Sequence, residues 1–159
     1  MEKQERFEIL ERAVEALRTA LGEHLIAVVL FGSRARGDAS PESDWDLLVI
    51  AEELPERYME RHLFLRQRLP LELADISLLA KTPQEFKASL PPLYLDIALD
   101  GKILYDPHGF MAARLNYLRG LIERAGLQRE HTAAGDVWRW RQQPMEEWEL
   151  VWAEEETAW

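Results

Sequence analysis

Cysteine is absent from the 159 residues, which excludes disulfides and thiolate metal sites. No run comes near the roughly 18 apolar residues that a membrane-spanning helix needs. The first residues, MEKQERFEILERAVEAL, are charged and amphipathic and lack the apolar core of a signal peptide. Basic residues are few: 19 Lys and Arg stand against 29 Asp and Glu, a formal net charge of −10. Neutralising a phosphate backbone requires a basic face, so stable nucleic-acid binding by the chain alone is not expected. A single nucleotide held through metal ions, or a basic protein partner, stays open. No internal repeat and no low-complexity linker interrupts the pattern. His24, His62, His108 and His131 have no metal-ligand spacing. These absences imply a cytoplasmic protein of one-domain size that does not associate with membranes. Its length allows roughly 70% of the unfolded surface to be buried.

The apolar positions that are present alternate between two periods. Phe7, Leu10, Val14, Leu17 and Leu21 predict an amphipathic helix over 3–20, closed at Gly22. LIAVVLF (25–31) predicts a buried strand, and WDLLVI (45–50) a second. Pro55 opens a helix expected to reach Leu69, with Tyr58, His62, Leu65 and Leu69 on one face. LELADISLL (71–79) reads as a third strand. Thr82-Pro83 reads as a helix cap, PPLYLDIAL as a helix, GKILYD (101–106) as a short strand and 108–125 as a last core helix. The order predicts an α/β (α+β) fold with a small mixed sheet backed by helices. Two units are expected: 1–125 as the main domain, and 126–159 as a Trp-rich extension packed on it. That extension holds five of the six tryptophans. VWRWR predicts a strand there, and the segment after Pro144 a helix with Met145, Trp148 and Trp152 on one side.

The chemistry concentrates in FGSRARGDASPESDWDLLVI (31–50). Asp44 and Asp46 flank one residue at the start of a strand, so they project from the same face. Each disfavours ionisation of the other, and a cation between them removes the conflict. Oxygen ligands in this number suit Mg²⁺, which also takes water and substrate phosphates. Asp75 reads as a carboxylate inside the third strand, where an unpaired charge is costly. Sharing metal with Asp44 and Asp46 would pair it, and three carboxylates can hold two divalent ions. Gly32 lets backbone approach a ligand closely, and Ser33 offers a hydroxyl at what would be the start of a helical turn. Arg34 and Arg36 are candidates for triphosphate contact. Ser43 reads as a local turn-former.

Gly32-Ser33, an arginine-rich turn, Asp44-Trp45-Asp46-Leu47 and the later Asp75 together resemble the DNA polymerase beta-like nucleotidyltransferase superfamily, in its minimal nucleotidyltransferase branch. The resemblance covers residues 1 to about 106. It implies a nucleotidyltransferase fold and transfer of a nucleoside monophosphate, AMP from ATP, to a hydroxyl with release of pyrophosphate. It implies Asp44, Asp46 and Asp75 as catalytic metal ligands for two Mg²⁺ ions, with Mn²⁺ as a substitute. Gly32, Ser33, Arg34 and Arg36 are implied at the nucleotide phosphates. A small helical HEPN-type protein is the partner such proteins often have in toxin–antitoxin modules, and a homodimer is a further assembly it allows. The alternative is a non-catalytic antitoxin-like binding protein that uses the same fold. A receiver-type phosphoacceptor domain also clusters aspartates at strand ends, but Gly-Ser directly after the preceding strand and the absence of strict βα alternation count against it. The chain is longer than a minimal member, which leaves the acceptor undefined.

Overall fold

The computed structural model describes residues 2–152. Strands β1 (Leu25–Phe31), β2 (Trp45–Ala51), β3 (Ile76–Lys81) and β4 (Lys102–Tyr105) form one sheet in the order β3-β2-β1-β4. β1 runs antiparallel to β2 and β4, and β2 runs parallel to β3. This is the mixed sheet expected from the element order.

Alternation along the strands feeds two cores. Val28, Leu30, Leu47 and Val49 pack with Ala13, Leu17 and Leu21 of α1 (Glu2–Leu21) and with Leu65 of α3 (Tyr58–Arg66), after the single turn α2 (Ser33–Arg36). Ala27, Val29, Leu48 and Ile50 pack with α4 (Pro83–Ala88), α5 (Pro92–Asp100) and α6 (Phe110–Ala125). Both central strands are therefore covered on both faces, which is why they read as unbroken apolar runs. The expected cap at Thr82 forms in full: its hydroxyl accepts from the Glu85 amide at 3.2 Å, and Glu85 Oε1 accepts from the Thr82 amide at 2.8 Å.

The second predicted helix differs from the observed one. It spans only Tyr58–Arg66, and Tyr58 is 73% exposed instead of facing the core. The cause lies in its arginines. Arg61 is buried and donates to the carbonyls of Pro55 (2.8 Å) and Ala80 (3.1 Å) and to Glu85 (2.8 Å). Arg66 donates to the carbonyl of Ile76 (2.9 Å). Ile76 and Ala80 lie on the edge strand β3, so α3 turns its guanidinium groups inward to satisfy an edge that would otherwise be open. Tyr58, Met59 and Leu63 are left facing out.

The third strand also starts later than predicted. Residues 71–73 form a 3₁₀ turn after Pro70, with Leu71 93% exposed, and the strand runs Ile76–Lys81. Pairing with β2 selects this register, setting Ala80 and Lys81 against Val49 and Ile50. Asp75 therefore precedes the strand instead of lying inside it, and it is exposed.

In the extension, the predicted VWRWR strand is β6 (Gly135–Trp140), paired antiparallel with β5 (Leu127–Thr132). The hairpin is pinned to α5 by Arg129, which reaches Asp96 at 3.1 Å and Asp100 at 2.6 Å, and by the Trp138 indole donating to Asp96 at 3.2 Å. The predicted helix after Pro144 does not form within the described residues. The segment instead runs as an irregular strap. Trp148 meets Trp140 edge to face at 5.7 Å, while Trp152 enters the core between Phe86 and Tyr117 and donates to the Ser89 carbonyl at 2.9 Å. Reaching from the hairpin to α4 needs an extended chain, and tertiary packing overrides the local helical spacing. Trp152→Ala should cost about 3–5 kcal/mol, read as a lower urea midpoint. An unchanged midpoint would mean that the strap contributes nothing to the fold.

Candidate active site

The antiparallel register of β1 and β2 sets Phe31 opposite Asp46. Gly32, one residue further, thus arrives beside the Asp46 carboxylate. Its backbone has φ 75° and ψ −160°, a region open essentially only to glycine. A Cβ there would stand 2.3 Å from Asp46 Oδ2 and 3.2 Å from Asp46 Cγ. The close contact at Gly32 is with the Asp46 carboxylate. From Gly32 the chain turns into α2, with the amides of Ala35 and Arg36 both donating to the Gly32 carbonyl at 3.1 Å. Ser33 opens that turn, as expected, and Gly37, at φ 90°, closes it.

Asp44 and Asp46 are brought together as the spacing required. Burial and then the like charge of Asp44 push the Asp46 carboxyl above its usual range, and Arg36 pulls partly against them. Arg36 therefore acts on Asp46; its Nε also donates to Asp38 at 3.1 Å.

The other predicted residues divide differently. Arg34 is committed to the loop: it donates to the Ser43 carbonyl at 3.0 and 3.2 Å and to the Pro41 carbonyl at 3.4 Å, and lies over the Trp45 ring at 4.4 Å. Arg6 donates to the Arg34 carbonyl at 3.2 Å and also lies over Trp45, 5.7 Å from its centroid. Ser43 forms the local turn expected, its hydroxyl accepting from the Ser40 amide at 3.0 Å. Asp75 joins the site through its backbone, its carbonyl accepting from the Trp45 amide at 2.9 Å. It lines a cleft of about 510 Å³ together with Arg6, Arg34, Ser40 and Trp45. Among the described residues, no three His, Asp or Glu side chains converge where they could share a metal ion. Sequence reading missed Arg6, since nothing local links α1 to a loop 28 positions away. It also missed Ser77, which only strand register sets beside Asp46.

The donor set fits a divalent cation in its chemistry. Two carboxylates from one strand end, one of them held reluctant to ionise, are relieved by a hard cation that takes oxygen ligands.

Comparison with known proteins gives the family. The sequence model of the nucleotidyltransferase domain family matches residues 10–105, and the chain belongs to that family. It is therefore an enzyme of the nucleotidyltransferase class. The chain is similar to a candidate protein adenylyltransferase of Methanocaldococcus jannaschii, with 37% identity over 122 residues, spanning 73% of this chain and 82% of the relative. A second candidate protein adenylyltransferase of that organism is 44% identical over 48 residues, 30% of this chain and 48% of the relative. The fold is also similar to that of a crystal structure of a toxin–antitoxin with AMP-PNP. There the TM-score is 0.52 at 16% identity, covering 72% of this chain and 87% of the other. No helix among the described residues is long and apolar enough to cross a membrane.

Proposed function

We propose that this nucleotidyltransferase moves AMP from ATP to a hydroxyl of a protein acceptor. The observation that carries the reading is the Asp46 carboxylate seated against Gly32 and held above its usual range by burial and by the charge of Asp44. Two features support ATP and a protein acceptor: the similarity to candidate protein adenylyltransferases, and the likeness of the fold to a toxin–antitoxin with AMP-PNP.

Asp44 and Asp46 would hold the divalent cation, Mg²⁺ or Mn²⁺. When bound, such an ion neutralises phosphate charge and the repulsion within the pair. The Gly32 turn, with Ser33 at its start, admits the phosphates close to the backbone. Arg36 supplies positive charge beside the pair. Arg34 shapes the loop and is the less available of the two arginines for phosphate. Asp75, outside the pair and on the cleft, is assigned to the acceptor side, where a carboxylate can take up the hydroxyl proton. The acceptor is proposed to be a helical HEPN-type partner, and the acidic chain would suit a basic one.

Calorimetric titration with ATP should give binding in Mg²⁺ and none in EDTA. With α-labelled ATP and the partner, label should appear on the partner as pyrophosphate is released. Equal ATP affinity in EDTA would overturn the metal-held nucleotide, and label on RNA instead of protein would overturn the acceptor.

A further inference from the structure

The parallel register of β2 and β3 sets Ser77 directly opposite Asp46. Paired residues of neighbouring strands project from the same face of a sheet, about 4.8 Å apart. Ser77 is exposed, whereas the residues that follow it in β3, Leu78 to Lys81, are all half-buried. A small hydroxyl thus stands open beside the more buried member of the carboxylate pair. Asp75, two residues earlier, lies before the strand and lines the cleft on the Trp45 side. Trp45 alternates with Asp46 along β2, and its ring packs with the α1 core. Ser77 shares the face of Asp46 within the sheet, whereas Asp75 lies in the turn before the strand and borders the cleft on the Trp45 side.

We propose that Ser77 is a nucleotide-binding residue of this site, its hydroxyl contacting the metal-bound triphosphate held by Asp44 and Asp46. This rests on the reading above and adds the group that the neighbouring strand contributes to nucleotide binding. A hydroxyl both donates and accepts, so it could donate to a phosphate oxygen of a bound nucleotide. It adds no third negative charge beside a pair that already repels.

The test is calorimetry of the full chain with Mn²⁺ and α,β-methylene-ATP, whose α–β linkage the reaction cannot cleave, so that binding is read without turnover. Ser77→Ala should weaken affinity about tenfold, the scale of one hydrogen bond to a charged group. Ser77→Thr, which keeps the hydroxyl and suits a strand, should stay within about twofold. Ligand-free melting of Ser77→Ala should match the parent, because the side chain is exposed. Parent-like affinity in Ser77→Ala overturns the proposal. Loss in both Ser77→Ala and Ser77→Thr overturns it as well, since packing and not the hydroxyl would then be at work. If Asp46→Asn abolishes binding while Ser77→Ala does not, the nucleotidyltransferase reading stands without Ser77. If the parent itself shows no metal-dependent binding, both fall.

Discussion

Asp46→Asn abolishes nucleotidyl transfer and leaves the ligand-free protein at least as stable as the parent. The change is nearly isosteric but removes the charge that a cation and the triphosphate would require. Losing one preorganised electrostatic group costs on the order of 10²–10³ in rate, and a metal-holding carboxylate should cost at least that. The stability prediction follows from proton binding. Burial and Asp44 raise the folded-state affinity of Asp46 for a proton above that of the unfolded chain. Between the two values the folded state binds more protons, so stability falls as pH rises through that window, and ionised Asp46 opposes folding at neutral pH. Asparagine removes this opposition. The variant's melting advantage should be present at pH 7 and vanish when the pH is lowered below both values, where the parent's carboxyl is protonated too. Mg²⁺ should raise the melting temperature of the parent and not that of the variant. A variant that melts well below the parent at pH 7 without Mg²⁺ would show that Asp46 has a structural role instead.

Gly32→Ala should impair both stability and nucleotide binding, and Gly37→Ala only the first. Both glycines adopt positive φ, 75° and 90°, so either alanine strains the backbone by about 1–3 kcal/mol. Their surroundings differ. A Cβ at Gly37 meets nothing within 4 Å, whereas one at Gly32 would collide with the Asp46 carboxylate. The carboxylate must then swing away, separating the pair from the phosphate turn. Metal-dependent ATP binding should be lost in Gly32→Ala and retained in Gly37→Ala, with the lower urea midpoint in Gly32→Ala, which adds the collision to the backbone strain. Equal nucleotide affinity in both variants would refute a role for the Gly32–Asp46 contact.

Much of the site was legible because its parts are local. Gly32, Ser33, Asp44 and Asp46 lie within fifteen residues, and the period of a strand alone puts the two aspartates on one face. Arg34 and Arg36 were legible as a basic turn but not as two different devices. Which arginine serves the loop depends on Trp45 and the carbonyls of Pro41 and Ser43, and those become neighbours only when the loop folds back. LELADISLL reads as one strand through Asp75 because apolar residues recur along its whole length, and such short segments do not declare where a strand begins.

Sequence by itself determined the class of fold, the two central strands, the long flanking helices and the carboxylate pair. These follow from periodicity, capping and spacing within single segments, whose physics is nearly independent of the rest of the chain. Tertiary structure alone decided what lies between segments. It turned Arg61 and Arg66 inward to close the β3 edge, leaving Tyr58 of the expected apolar face exposed while Leu65 stays buried. It drew the strap after Pro144 out of a helical pattern so that Trp152 could fill the core beside Phe86. It set the β3 register that moved Asp75 ahead of the strand and brought Ser77 opposite Asp46. In each case a buried ring or an unsatisfied carbonyl far along the chain outweighs a local preference worth only a few tenths of a kcal/mol to about 1 kcal/mol per residue.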